Sequence, residues 1–92
     1  MKKMHVQGKD RGDIFLYTLS TCGWCGKMKN WLKKRGLAYS YVDVDLEPPE
    51  DKEAAIAELR SWNSRCSFPT VVVNGRDCIV GFKPEKLEEL LK

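Results

Sequence analysis

The chain has 92 residues, of which 42% are hydrophobic and 32% charged, and its formal net charge at pH 7 is +3. This length predicts one domain that can bury a core of its own without metal or disulfide staples. The small net charge gives no reason to expect a nucleic-acid or membrane partner. No apolar run approaches the roughly 18 residues of a membrane span.

The cysteine content and the N-terminus bear on the cellular compartment. Two lysines follow Met1 without an apolar segment after them, so a secretory signal is not expected. Four cysteines in a chain without an export signal indicate a reducing compartment, where a Cys-x-x-Cys pair is more often redox-active or metal-binding than structural. We therefore expect a cytoplasmic protein.

The first third of the chain predicts a strand followed by a helix. Residues 1–12 are polar and interrupted by glycines, which predicts an N-terminal arm ahead of a domain formed by residues 13–92; a short added strand is the alternative. The apolar run 14–17 predicts a buried strand. A helix is expected over about 22–35, because its apolar residues lie on one face and Gly36 is a suitable stop.

The rest of the chain predicts, in order, a strand, a helix, two strands joined by a tight turn, and a last helix. Alternation of apolar and polar residues over 38–45 predicts the second strand. Pro49 precedes an acidic first turn of a helix that ends near Asn63. Asn74-Gly75 between two β-branched runs predicts an antiparallel hairpin, and a last helix is expected over about 84–91.

The order of these elements predicts the fold class. A helical crossover between the first two strands makes them parallel, whereas the hairpin strands are antiparallel. We therefore expect an α/β fold with a four-stranded mixed β-sheet flanked by three helices.

Two cysteines lie where the first strand ends and the first helix begins. Thr21 is the expected N-cap, which would place the sulfurs of Cys22 and Cys25 in the first turn. The unpaired amides and partial positive charge of that turn favour a thiolate at Cys22. Cys25 is within disulfide reach and could resolve a mixed disulfide formed on Cys22. Gly23 leaves room for an incoming sulfur, and Trp24 offers an aromatic surface beside it.

The sequence indicates no definite role for the other two cysteines, Cys66 and Cys78. Zinc binding by all four would need a second closely spaced pair, which Cys66 and Cys78 do not form, so no metal site is expected. Cys66 lies two residues before Phe68, either at the rim of the site or as a loop thiol without a role. Cys78 opens the last strand and is interpreted as a small core or edge residue.

Three segments carry a resemblance to a known family: Leu16-Tyr17-Thr18 leading into Cys22-Gly23-Trp24-Cys25, Phe68-Pro69-Thr70, and Val80-Gly81-Phe82-Lys83-Pro84-Glu85-Lys86-Leu87. With these segments, the chain from about Gly12 onwards resembles glutaredoxins and related small redoxins of the thioredoxin fold. The resemblance implies that Pro69 is cis and that Phe68, Pro69 and Thr70 form one wall of the site. There the backbone would pair with an extended substrate segment. Substrate contacts are also expected from Thr21, Gly23 and Trp24 in the cysteine segment and from Gly81 and Phe82.

The resemblance also bears on the electron donor. Leu19 stands where glutathione-using glutaredoxins have a lysine, and Phe82 and Lys83 stand where they often carry a second glycine and an acidic residue. The Gly-Phe-basic-Pro-acidic run looks more like redoxins that reduce ribonucleotide reductase and are recharged by thioredoxin reductase. The resemblance thus implies a thiol–disulfide oxidoreductase recharged by a donor of that type rather than by glutathione.

Two alternatives stay open at this point. The loop around Phe68–Thr70 could still bind glutathione, giving a glutathione-dependent glutaredoxin. Gly23 is compatible with a carrier that holds an iron–sulfur cluster between two subunits with glutathione thiols as further ligands. Under the leading interpretation we expect a monomer with no tightly bound cofactor, and its partners are disulfide-containing protein substrates and a reductase that donates electrons.

Overall fold

The structure, a computed structural model, describes residues 3–91. The strands are Met4–Val6 (β1), Ile14–Thr18 (β2), Tyr39–Asp43 (β3), Thr70–Val73 (β4) and Asp77–Val80 (β5). The helices are Gly23–Lys34 (α1), Pro49–Trp62 (α2) and Pro84–Leu90 (α3), with a short 3-10 turn at Val44–Leu46. The strands form one sheet in the order β1-β3-β2-β4-β5.

The centre of the sheet has the predicted mixed topology. Strand β2 runs parallel to β3 and antiparallel to β4, and β4 pairs antiparallel with β5. Residues 74–76 connect β4 to β5, and Asn74 and Gly75 in this connection have the positive φ angles of 55° and 62° expected of a tight turn with this dipeptide. The α/β architecture with three helices is therefore confirmed.

The predicted number of strands is wrong, because β1 adds a fifth strand within the segment interpreted as an arm. Val6 lies opposite Tyr39 in an antiparallel pairing with β3. Beyond β1, the Lys9 amide donates to the Gly36 carbonyl at 2.7 Å, and the Ala38 amide donates to the Lys9 carbonyl at 2.9 Å. Strand β1 itself has only three residues, which is too short for a hydrophobic period to be recognised in the sequence, although Val6 packs against the core. Met1 and Lys2 of the predicted arm, and Lys92 of the predicted domain, lie outside the described residues.

The sheet separates two apolar clusters, because successive side chains of a strand point to opposite faces. Leu16 of β2 packs in a cluster with α1 and α3, represented by Leu32 and Leu87, all three fully buried. Tyr17, the next residue, packs on the other face against α2, represented by Leu59. Burial of each such side chain contributes roughly 1.5–3 kcal/mol. Packing on both faces thus fixes β2 up to Thr18, the residue after which the segment leading to Cys22 begins.

Within the described residues 3–91, no helix combines the length and the apolar character needed to cross a bilayer.

Candidate active site

The sheet register brings three chain segments to one edge. Tyr17 near the end of β2 pairs with Thr70 at the start of β4, and Thr70 pairs with Val80 at the end of β5. The segments that follow β2, precede β4 and follow β5 are therefore neighbours. They contain Cys22–Cys25, Phe68–Pro69 and Gly81–Phe82, respectively. These are the segments that carry the resemblance, and β-pairing, not proximity along the chain, assembles them.

Cys22 itself occupies the N-cap position of α1, so the expectation that Thr21 caps this helix is wrong. Cys22 has extended backbone angles (φ −84°, ψ 117°), and its sulfur accepts a hydrogen bond from the Cys25 amide at 3.2 Å. The Cys22 amide donates to the Leu19 carbonyl at 3.2 Å, which closes a turn that ends one residue after Thr21. The sulfur thus takes the place of the hydroxyl oxygen that usually satisfies one free amide at a helix start.

The two thiols of this turn differ in exposure. Cys22 is half-buried, whereas Cys25 is 1% exposed. Burial, together with the hydrogen bond between the two thiols, raises the pKa of Cys25 to about 12. In the reduced protein Cys25 therefore holds its proton at neutral pH, and Cys22 is the thiol that a partner can reach.

The segment before β4 is a loop braced from within. The Phe68–Pro69 peptide bond is cis, as the resemblance implied. The Thr70 hydroxyl donates to the Ser67 carbonyl at 2.8 Å, and the Asn63 amide group donates to the Ser67 hydroxyl at 2.8 Å and to the Thr70 hydroxyl at 3.2 Å. Pro69 and Thr70 are fully buried, so among the three predicted wall residues only Phe68 presents a partly exposed side chain. The Thr70 side chain supports the loop rather than facing a substrate.

The segment after β5 is tied to that loop and to the cysteine turn. The Gly81 amide donates to the Pro69 carbonyl at 2.8 Å, and its φ of +88° is one that glycine adopts without strain. The Phe82 ring lies 6.0 Å from the Trp24 ring, centroid to centroid. Trp24 is 58% exposed, and the Lys27 ammonium lies 4.4 Å from its ring centroid. Trp24 and Phe82 together form an aromatic platform beside the cysteine turn.

Sequence reasoning missed two side chains that hold this edge together. Asp45, in the 3-10 turn after β3, accepts hydrogen bonds from the Ser20 amide at 2.9 Å and from the Ser20 hydroxyl, and these bonds lower the pKa of its carboxyl. Asn63, at the end of α2, braces the loop before β4. The parallel pairing of β2 with β3 was a usable signal for Asp45, because residues that follow two parallel strands meet at one edge. No comparable signal marks Asn63.

The remaining cysteines lie outside the turn. Cys66 is half-buried in the braced loop, with a positive φ of 51°, and Cys78 is exposed on β5, at the edge of the sheet. Cys78 is thus an edge residue, one of the two options its sequence position suggested. Over residues 3–91, no cluster of three or more histidine, cysteine or acidic side chains is arranged to hold a metal ion.

Comparison of the sequence with known proteins identifies the family to which the chain belongs. A sequence model described as glutaredoxin matches residues 14–78. The chain belongs to the glutaredoxin family. It is 30% identical over 80 residues to an uncharacterized glutaredoxin-like 8.6 kDa protein in a rubredoxin operon of Clostridium pasteurianum, covering 86% of this chain and 97% of that protein.

Two crystal structures are similar to this one over nearly the whole fold. The glutaredoxin from Methanosarcina mazei Go1 superposes with a TM-score of 0.89 at 42% identity, covering 99% of this chain and 88% of that one. Methanoredoxin from Methanosarcina acetivorans superposes with a TM-score of 0.87 at 45% identity, covering 91% and 88%. The thioredoxin fold predicted from the resemblance is confirmed, and the protein is a thiol–disulfide oxidoreductase.

Proposed function

We propose that this glutaredoxin-family protein reduces protein disulfides and mixed disulfides by a dithiol mechanism. The observation that supports it most is the unequal setting of the two thiols, since Cys22 is accessible at the helix start while Cys25 is buried beneath it. The Cys22 thiolate attacks one substrate sulfur, and the other substrate sulfur leaves as a thiol after taking up a proton. Cys25 then attacks the Cys22 sulfur, its own proton passes to the departing substrate sulfur, and a Cys22–Cys25 disulfide remains. Two electrons have moved from the protein to the substrate.

Substrate binding is proposed at the edge of the sheet around the cysteine turn. Phe68 offers a partly exposed side chain and the backbone ahead of cis Pro69, with which an extended substrate segment can pair. The aromatic platform of Trp24 and Phe82 beside the turn offers apolar surface to the flanks of a protein disulfide. Gly23 has no atom within 4 Å of the position a Cβ would take, which leaves the approach to the turn open.

We propose a donor of the thioredoxin-reductase type rather than glutathione. Three residues support this choice: Leu19 before the turn, and Phe82 and Lys83 after Gly81. Phe82 packs partly into the core as well as against Trp24, so the segment after β5 presents a ring and a lysine where glutathione-using relatives carry small and acidic residues. On this proposal the protein is a cytoplasmic monomer without a tightly bound cofactor, and its partners are disulfide-containing proteins and the reductase.

A panel of electron donors tests the choice. The oxidised protein is supplied in turn with NADPH-linked thioredoxin reductase, with glutathione plus glutathione reductase, and with a ferredoxin-linked thioredoxin reductase, and reduction of insulin disulfides is followed. We expect fast turnover with a thioredoxin-reductase-type donor and little with glutathione, while Cys22→Ser gives the background rate. Fast turnover with glutathione alone would overturn the proposed donor but leave the dithiol mechanism standing.

The second candidate is a carrier of an iron–sulfur cluster held between two copies of the chain. The accessible thiol of Cys22 and the open space at Gly23 favour it. Anaerobic purification distinguishes the two functions, because a cluster-bridged dimer is coloured and elutes at twice the mass. A colourless monomer that reduces insulin supports the reductase.

A further inference from the structure

Lys29 is the lysine of α1 whose ammonium is held in place between the helix and the sheet. It donates to a carboxylate oxygen of Asp43 at 3.1 Å and lies 4.0 Å from the centroid of the Tyr41 ring. The same Asp43 oxygen accepts a hydrogen bond from the buried Thr18 hydroxyl at 2.6 Å. The side chains of Lys29 and Asp43 are only 23% and 18% exposed. The ammonium is therefore fixed in a partly desolvated position, whereas Lys33, one turn further along α1, is exposed.

The fold directs this charge towards the resolving cysteine. Lys29 lies four residues after Cys25 on α1, so the two side chains share one face of the helix. Helical side chains lean towards the N-terminus of the helix, which carries the lysine stem over the turn that contains Cys25. Asp43 and Thr18 are paired at the ends of their strands, and the segment that leads to Cys22 begins directly after Thr18. Asp43, which holds Lys29, therefore lies beside the start of that segment.

The charge acts on Cys25 against the effect of burial. Burial and the hydrogen bond with Cys22 raise the pKa of the Cys25 thiol, whereas the Leu19 backbone and the positive charge of Lys29 act in the opposite direction. Once Cys22 is joined to a substrate, Cys25 becomes the thiol that must give up its proton. A fixed cation near a buried sulfur is more effective than one in water, because little solvent lies between the two charges.

We propose that Lys29, anchored by Asp43, is a positioning residue for the resolving step, in which it stabilises the negative charge that develops on the Cys25 sulfur. This inference rests on the dithiol mechanism proposed above. In that step the S–H bond of Cys25 breaks, a Cys22–Cys25 bond forms, and the bond from Cys22 to the substrate sulfur breaks. The proton of Cys25 passes to the released substrate sulfur, so no other reactant is consumed. Lys29 keeps its proton throughout.

The expected effect is selective and moderate. Loss of one partly desolvated charge from the neighbouring turn of α1 lowers the thiolate fraction of Cys25 by up to about tenfold. The less stabilised thiolate is a better nucleophile, with a Brønsted coefficient of about 0.4–0.5, which returns about threefold of that loss. We therefore expect the resolving step to slow by about threefold near neutral pH, while the first attack by Cys22 is little changed.

A two-phase thiol titration separates the steps. The full-length protein, with Cys66→Ser and Cys78→Ser in every sample, is mixed with the neutral disulfide 4,4′-dithiodipyridine. The first release of thiopyridone reports attack by Cys22, and the second reports attack by Cys25 on the mixed disulfide. Lys29→Met keeps the apolar stem against Tyr41 but removes the charge, Lys29→Arg keeps the charge, and Lys33→Met is the matched loss of an exposed charge from the same helix.

The proposal requires a slower second phase in Lys29→Met alone, with recovery in Lys29→Arg and no change in Lys33→Met. A second phase in Lys29→Met as fast as in the parent would overturn it, and so would equal slowing by Lys33→Met. If Lys29→Met loses its first phase as well, the lysine supports the turn as a whole and the selective role is refuted. Absence of a second phase from the parent protein would instead refute the dithiol mechanism itself.

Discussion

The buried thiol of Cys25 predicts that the reduced protein loses stability in mild alkali. Burial, with the hydrogen bond to Cys22, raises the pKa of this thiol from its ordinary 9.0 to about 12. Below pH 9 both the folded and the unfolded chain hold the proton, so the stability is fully present. Between pH 9 and 12 the unfolded chain releases a proton that the folded chain retains, so the free energy of unfolding falls as pH rises.

The size of this stability loss follows from the difference in the pKa of Cys25 between the unfolded and the folded chain. Three pKa units correspond to about 4 kcal/mol in total, lost at about 1.4 kcal/mol per pH unit. Raising the pH from about 8 to about 10 should therefore lower the free energy of unfolding by about 1.4 kcal/mol through Cys25 alone. That is a sizeable part of the 5–15 kcal/mol typical of a small domain. Burial and the hydrogen bond with Glu58 also raise the pKa of Tyr17, which adds a further loss above pH 10.

Urea unfolding of the fully reduced protein, followed by tryptophan fluorescence, measures this loss. Cys25→Ala is less stable near neutral pH because a buried sulfur is removed. This loss of packing does not depend on pH, and the variant has no thiol at this position to titrate. The stability gap between the parent and Cys25→Ala should therefore narrow by about 1.4 kcal/mol between pH 8 and pH 10. Cys66→Ala controls for removal of a thiol elsewhere in the chain. A gap that stays constant over this range would refute the reasoning that Cys25 is held protonated by burial.

Two further pairs of variants test the site and the fold. Cys22→Ser should abolish disulfide reduction, whereas Cys25→Ser should accumulate mixed disulfides with protein substrates, which are seen on non-reducing gels. Turnover by Cys22→Ser, or failure of Cys25→Ser to trap any substrate, would contradict the assigned roles. Gly8→Ala should destabilise the protein by roughly 1–3 kcal/mol, because the new Cβ would lie 2.6 Å from the Gly36 carbonyl oxygen. Gly26→Ala should stabilise it by up to about 1 kcal/mol, because Gly26 lies within α1 and a Cβ there would meet no atom within 4 Å outside its own helical turn. Equal urea midpoints for the two glycine variants would argue against the packing of residues 3–9 on β3.

Local patterns were sufficient for most of the fold. Alternation and helical periodicity predicted every helix and the four strands from β2 to β5, because each of these elements buries an apolar face that the sequence displays. The Asn74-Gly75 turn was equally readable, since its backbone angles depend on those two residues alone. Strand β1 was not readable, because its three residues are too few to show an alternation and the backbone pairing with β3 leaves no mark in the side chains.

The sequence by itself determined that two cysteines stand at a helix start, and this spacing indicated the chemistry. Only the tertiary structure decided that Cys22, rather than Thr21, caps the helix, that the Thr70 side chain points inward, that Asp45 binds Ser20 beside the cysteine turn, and that Asp43 anchors Lys29. The Asp45 and Lys29 contacts join segments more than ten residues apart in the chain. The Thr70 hydroxyl is held by Ser67 and Asn63 within the fold of its own loop, and the helix cap depends on the residue at which a turn closes. Spacing along a chain reports which groups can share a helix face, whereas the pairing of strands decides which loops meet.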